Sequence, residues 1–555
     1  MDRKTFMQGA VILAAAGVVI KALGAVFRIP LGNMISDTGM GYYQTAYTIY
    51  VMFLVLSNSG IPVAISRMVS ERIAVGRPDE AHRVFRVSFI LLFVIGIATS
   101  CFCFFRTGFI LQFFPNMENS SYAIKAIAPA LLIVPLMAAY RGYFQGRQDM
   151  RPTAKSQIAE QFFRVAAGLT VAYLLLPQGG QMAAAGAAFG ATAGAIAGLV
   201  TIMAIYAFDK KKTAAGPEEA DPADSKLAEA GPAGAEKEPV HAILLKIFII
   251  AVPITIGAAI MPIMNFIDLA IISNRLATLG WMATDVREAY GQLAGFANPL
   301  INLPQILTQA VAMSLVPAVA AAYKKKDMAF LRHNIQLGLR TAVIIGLPCA
   351  LGMMTLSEQI MALLFPMARG AAQGAAPFLF ILAFGIIFLS TVQTLTGVLQ
   401  GVGRQMIPVC NLFIGAAAKI AVTWCLIAVP SVNVKGAAIG TVTAYIIAAA
   451  LNLLAVRRHT GTRFDVRLTY VKPLFAALVM SFVVWAGYKL LFLFLVGVPA
   501  GHAISTVIAV CAGVAAYGIL LLAGGAVTAE ELKLLPKGEK IAKMLARSYN
   551  YVGRR

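Results

Sequence analysis

Fourteen apolar stretches, most of about 20 residues or more, follow one another along the chain with charge clusters between them. A stretch of that length, coiled as a helix, crosses the ~30 Å hydrocarbon layer of a bilayer. In lipid the backbone must satisfy its own amides, and repeated apolar runs of this kind do so as helices. Reading between charge clusters places spans near 6–31, 43–69, 85–105, 124–144, 154–176, 182–208, 244–272, 288–318, 332–356, 374–399, 407–429, 434–456, 473–496 and 502–524. Composition agrees: 59% of the 555 residues are hydrophobic and 13% are charged, against about 25% charged in soluble domains. A soluble enzyme, a secreted disulfide scaffold and a disordered chain are thereby excluded. The first run resembles a signal peptide, but it is long and carries Lys21 and Arg28, which reads as a retained first span.

The net charge of +21 is explained by position. With the N-terminus on the cytoplasmic side, 32 of the 46 lysines and arginines fall on that side, counting those at span edges with the flanking segment. The positive-inside rule is satisfied, with both termini cytoplasmic. The basic clusters (Arg141, Arg147, Arg151 and Lys155; Lys324 to Lys326; Arg457, Arg458, Arg463 and Arg467) meet anionic membrane lipid, so nucleic acid is an unnecessary partner. Residues 209–240, with Pro217, Glu218, Glu219, Asp221 and Pro232, read as a disordered cytoplasmic linker.

Internal matches give the linker meaning. A shift of 248 aligns Tyr42, Gln44, Ala46, Ala64 and Ser66 with Tyr290, Gln292, Ala294, Ala312 and Ser314. Gln145-Gly146 answers Gln400-Gly401, and Gly186 with Gly190 answers Gly436 with Gly440. The expected fold is an all-α integral membrane protein of about fourteen transmembrane helices. It divides into an N-lobe (1–208), the linker, a C-lobe (241–456), two further helices (457–524) and a cytoplasmic amphipathic tail (525–555). Repeated bundles of this kind place a site between halves near mid-membrane. The tail, with a capping box from Thr528 to Glu531 and then Ile541, Leu545 and Tyr549 on one face, reads as a surface helix.

Catalytic apparatus is not visible. There is no G-x-x-x-x-G-K-[ST] loop, the five histidines lack metal-protease spacing, and the six cysteines, all in apolar runs, read as small core residues. No cofactor is expected. The glycines at 186, 190, 194 and 198 form a four-spaced ridge suited to helix packing. The informative residues are ionisable groups inside spans, each costing at least ~2.5–3.5 kcal/mol at the bilayer centre without a partner or a wet cavity. The cations are Lys21, Arg28, Arg67, Arg164, Lys246, Arg340, Lys419 and Lys489, against Glu160 and Asp268 alone. That imbalance favours a cavity for anions. Lys21 and Arg28, seven apart, share a helical face that suits a diphosphate, although Arg28 also fits an outer interfacial anchor. Arg67, Lys246 and Arg340 are near enough to an edge to snorkel. Glu160 and Arg164 have the spacing of an intrahelical ion pair, structural or coupling. Asp268 lacks an obvious local cation, so a coupling sodium ion or a proton is the expected partner, with oxygens from Asn265 and Asn411.

Three segments carry a family resemblance: Lys21-Ala-Leu-Gly24 with Arg28-Ile-Pro-Leu, Ser57-Asn-Ser-Gly-Ile-Pro62 with Ala64-Ile-Ser66-Arg67, and Tyr143-Phe-Gln-Gly146 with Pro152. The chain resembles the polysaccharide-transporter branch of the multidrug, oligosaccharidyl-lipid and polysaccharide exporter superfamily, and within it the group of lipid II flippases and stage V sporulation protein B. The resemblance implies two lobes around a cavity and outward movement of a polyprenyl-diphosphate-linked oligosaccharide across the bacterial cytoplasmic membrane by alternating access, with a functional monomer. It places Lys21 and Arg28 near basic positions of helix 1. Asn58 and Asn298 stand near positions where such flippases carry arginines. Asp268 and Asn411 approximate a sodium site of the family, with Gly415 where a second carboxylate would stand. A cation-coupled multidrug exporter of the same architecture is the alternative; it would need more carboxylates than Glu160 and Asp268 supply.

Overall fold

A computed structural model describes residues 3–214, 238–498 and 500–525, and among them contains helices and no strands. The helices, in chain order, are α1 (Arg3–Asn58), α2 (Ile61–Ala74), α3 (Pro78–Phe105), α4 (Thr107–Leu111), α5 (Ser121–Ile127), α6 (Ala130–Gly146), α7 (Arg151–Leu175), α8 (Gly180–Ala214) and α9 (Val240–Thr278). They continue with α10 (Ala283–Tyr290), a π-helical turn at Gly291–Ala297, α11 (Asn298–Lys324), α12 (Met328–Thr355), α13 (Ser357–Leu364), α14 (Arg369–Gly401), α15 (Met406–Ile427), α16 (Lys435–Thr460), α17 (Lys472–Leu495) and α18 (Gly501–Ala523). The tail expected to lie on the membrane is outside the described residues, as is most of the linker; α8 extends to Ala214, into the segment expected as linker.

Among the described residues thirteen helical stretches are long and apolar enough to cross a membrane. The first, Ala22–Ala74, holds the second expected span and the end of the first. At Ser36 the backbone enters the left-handed region (φ 59°), and there the chain doubles back. The ring contacts prove it. Phe27 and Tyr43 would be about 24 Å apart on a straight helix, yet their centroids lie 5.9 Å apart. Counted as two limbs, α1 with α2 brings the total to the expected fourteen.

The chain forms two compact units, residues 1–299 with 365–375 and 419–440, and residues 300–364 with 376–418 and 441–555. In the first unit α9 packs against α1 and α2 of the first six spans. The contact of α9 with α2 is backbone to backbone. A Cβ on Gly60 would strike the carbonyl of Ala251, and Gly60 N donates to Thr255 Oγ1 at 3.1 Å. At the other end of α2, Glu238 accepts from both Arg72 and Lys246. Lys246 and the linker's last residues thus tie α2 to α9.

The glycine ridge performs the packing role expected of it. A Cβ on Gly186 would meet Ala172 N at 2.7 Å, and one on Gly190 would meet Arg164 O at 2.6 Å, so α8 lies directly on α7. The same register recurs at the other end of the repeat. Gly436 backs onto Leu426 and Ile427, and Gly440 onto the carbonyl of Lys419 at 3.1 Å. Residues 171, 172 and 164 are thereby matched with 426, 427 and 419, which makes Lys419 the repeat counterpart of Arg164. Likewise Gly142 and Gly146 rest on Pro62 and Ser66, and Gly397 and Gly401 on Ala312 and Val316.

In the second unit Leu315, Leu331, Leu339, Leu395, Ala477 and Met480 are buried in one core, and Tyr517 OH on α18 donates to Ile344 O on α12 at 2.9 Å. The two C-terminal helices are thus part of that unit's core. The cysteines depart from expectation: Cys103 is buried, Cys349 is intermediate and the other four are exposed on helix faces, where a thiol sits as readily against lipid as in a core.

Candidate functional site

Several ionisable residues of the first unit's spans gather along one polar path. Glu160 sits one turn before Arg164 on α7, and its carboxylate accepts from Arg164 Nη2 at 2.9 Å and from Arg141 Nη2 on α6 at 3.0 Å. Arg141 also donates to Ser156 Oγ at 2.8 Å, and Ser156 Oγ donates to Gly198 O at 2.9 Å. Glycine on α8 is required here, because a Cβ on Gly194 would collide with Glu160 O. Arg141, grouped with the cytoplasmic cluster on sequence grounds, turns its side chain into the helix packing, with only 13% of it exposed. One carboxylate serves two guanidiniums, and both Nε groups are buried with no protein acceptor. Such unpaired buried donors are rare and call for a polar partner.

Tyrosines of the returning limb of α1 lie beside this triad. Tyr43 and Tyr47 stack at 5.8 Å and Tyr47 and Tyr50 approach to 6.1 Å, a face produced by spacings of four and three. Arg28, on the outgoing limb, lies over the Tyr47 ring at 5.6 Å. This is a cation–π contact. Tyr43 is within electrostatic range of both Arg28 and Arg164. Tyr50 is 2% exposed and its OH has no protein partner.

Toward α10, Thr48 Oγ1 and Tyr290 OH share a hydrogen bond of 3.0 Å. Tyr290 lies within range of Arg28 and Asp268. Asp268 is ion-paired with Lys419, contrary to the expectation that it lacks a cation. The partner was invisible because 151 residues of chain separate them. The bend of α1 is locked from α10 and the π-helical turn: Gln292 Nε2 donates to Asp37 Oδ2 at 3.0 Å, and a Cβ on Gly291 or Gly41 would meet the carbonyl of Asp37 or Arg287.

Other expected residues lie apart from this path or outside what is described. The Lys21 side chain is outside the described residues; its backbone is in α1. Asn58 ends α1 with Oδ1 buried and unpartnered. Arg67 is exposed and pairs with Glu71 at 2.8 Å, which is a surface pair rather than a cavity cation. Asn298 opens α11 directly after the π-helical turn. Asn411 belongs to the second unit, where its Nδ2 donates to Asn452 Oδ1 at 2.9 Å. Lys489 lies over Trp485 at 4.5 Å. Sequence reasoning missed Arg141, the tyrosine face and Lys419 as a partner; the i, i+4, i+7 spacing of Tyr43, Tyr47 and Tyr50 was the available signal.

Residues 6–323, more than half of the chain, match the polysaccharide biosynthesis protein family. The chain belongs to that family. A second match, to the MatE family, covers residues 292–425. Among relatives of this family member in Bacillus subtilis, the uncharacterized membrane protein YabM is 29% identical over 99% of this chain and 98% of its own length. Stage V sporulation protein B is 26% identical over 97% and 98%, and the lipid II flippase MurJ is 25% identical over 87% and 88%. The fold is that of two solved structures, each with TM-score 0.65 and 14% identity. A lipid II flippase MurJ in an inward closed conformation covers 92% of this chain and 98% of its own. An inward-facing multidrug resistance MATE transporter covers 81% and 98%. The family member is therefore a multi-pass membrane protein, similar in sequence to a lipid II flippase and in fold to that flippase and a multidrug transporter.

Proposed function

We propose that this chain is a flippase that moves a polyprenyl-diphosphate-linked oligosaccharide, lipid II or a related cell-wall or polysaccharide precursor, from the inner to the outer face of the bacterial cytoplasmic membrane by alternating access. The observation that carries the reading is the charge of the polar path. Among the described residues of the path, Arg28, Arg141, Arg164 and Lys419 stand against Glu160 and Asp268, a surplus of two positive charges in a low-dielectric setting. A diphosphate supplies the missing negative charge, and guanidinium forks bind its oxygens in bidentate fashion. The tyrosine face offers aromatic surface for sugar rings. The names of the relatives, a lipid II flippase and a sporulation protein, support a role in peptidoglycan synthesis, cell shape or spore formation. In this reading both termini are cytoplasmic, the basic flanks meet anionic lipid and the monomer is the working unit.

The multidrug alternative draws on the MatE match and the MATE-like fold. A cavity for cationic drugs needs uncompensated carboxylates, and Glu160 and Asp268 are both held by cations. The two readings separate in a strain depleted of its own lipid II flippases. The wild-type chain is expected to restore outward exposure of lipid II, and an Arg141→Ala/Arg164→Ala variant at equal abundance is expected not to. Restoration by that variant rejects the site. Ethidium efflux without any lipid II exposure favours the exporter.

A further inference from the structure

We propose that Lys419 is a tethered cation that takes the place of a metal ion at Asp268, so that this chain's mid-membrane carboxylate works without bound sodium. An aspartate inside a span, with amide oxygens in prospect, is the chemistry a sodium ion would use. With Lys419 in place, the residues present do not fit that ion. Asp268 is ion-paired with the Lys419 ammonium, whose side chain is only 4% exposed. Gly415, where a second carboxylate would stand, has no room for one, since a Cβ there would lie 2.6 Å from Ala444 O. Among the described residues no three His, Cys, Asp or Glu side chains converge.

The lysine is built into its place. Its turn of α15 is backed by Gly440 on α16, where a Cβ would lie 2.3 Å from Thr423 Oγ1 and 3.1 Å from Lys419 O, so the two helices meet closely at this turn. Arg275 on α9 lies over Trp424 on α15 at 4.8 Å, a contact beside the Asp268–Lys419 pair that keeps α9 against α15. Lys419 also stands at the repeat position of Arg164. Each half of the repeat thus carries one cation on the same glycine-backed turn, each with an acidic partner: Glu160 for Arg164 and Asp268 for Lys419. An ammonium on a four-carbon stem has the charge of a sodium ion and a contact distance to carboxylate oxygen that suits the same acceptor. The remaining Asp268 oxygen, Oδ1, is buried without a protein partner, so the carboxylate retains capacity for a further donor.

The test uses the full chain in lipid nanodiscs, with thermal unfolding followed in sodium, potassium and choline chloride at equal ionic strength. The wild type is expected to unfold at the same temperature in all three. Lys419→Gln leaves Asp268 without its cation and is expected to gain a sodium-specific rise in unfolding temperature that saturates with sodium. Asp268→Asn/Lys419→Gln, which removes both charges, is expected to lose that rise. A sodium-specific stabilisation of the wild type that Asp268→Asn abolishes overturns the proposal, as does a folded Lys419→Gln variant indifferent to sodium. Equilibrium binding of radioactive sodium to wild-type nanodiscs gives an independent reading should Lys419→Gln fail to fold: no binding above a protein-free control supports the tethered cation, and stoichiometric binding refutes it.

Discussion

Glu160 holds two guanidiniums, and the consequences of losing it differ from those of losing either arginine. Without Glu160, Arg141 and Arg164 face each other unneutralised; truncating one member of a buried charge set costs about 3–5 kcal/mol. Glu160→Ala is therefore expected to lower the unfolding temperature markedly, whereas Arg164→Ala leaves Glu160 with Arg141 and costs less. Calorimetry of both variants checks the order. Arg164→Lys keeps the charge but loses the fork and its free Nε donor, so the expected phenotype is a stable protein with reduced lipid II exposure in the complementation assay. At this scale the sequence revealed the Glu160–Arg164 pair, since four residues on one helix are neighbours whatever the fold. Arg141, 19 residues away across a loop, and Lys419, 151 residues from Asp268, became partners only through packing.

Helix pairs in this chain meet through glycine. Where Gly194 on α8 faces Glu160 O on α7, a side chain pushes the helices apart at the turn that carries the triad. Gly194→Leu is expected to cost about 1–3 kcal/mol or more through overpacking, and to impair flipping even where the protein still accumulates in membranes. The α2–α9 contact joins a glycine at one end to a charge clamp at the other. Hydrogen bonding to Lys246 holds the Glu238 carboxyl below the ordinary carboxylate range; partial burial opposes that shift, and Arg72 adds to it. The folded pKa is depressed, so the clamp's contribution is fully present above the ordinary value of about 4.3 and fades as pH falls through the lower folded value. Lys246 is more than half exposed, which limits the contribution to about 1 kcal/mol after solvent screening. The difference in stability between wild type and Glu238→Gln should accordingly shrink as pH is lowered from 6 to 3. A difference that grows instead would assign the clamp no stabilising role.

For the molecule as a whole, the asymmetry of lysine and arginine predicts that both termini and the linker face the cytoplasm. Single cysteines placed at position 230 and near residue 550, in a background without the six native thiols, should resist a membrane-impermeant maleimide in intact cells and react after lysis. A cysteine at Asn433, in the short connection between α15 and α16, should react in intact cells. The span count was legible because the bilayer imposes one length and one composition on every crossing. The hairpin at Ser36 was legible only as a gap between two apolar runs, since the left-handed turn that makes it sits inside what is otherwise uninterrupted helix. The repeat was legible as a few matched residues, and the glycine contacts explain which matches mattered: they are the places where one backbone touches another.

Hydropathy and charge, which depend on each residue's own transfer energy, determined by themselves that this chain crosses a membrane about fourteen times and that the charges inside its spans are mostly positive. Which of those charges neutralise one another was decided by tertiary structure alone. The reason is physical: transfer energies add along the chain, while ion pairing depends on distances across it. The folding of α9 and α15 against each other is what gave Asp268 the lysine that no local reading could supply.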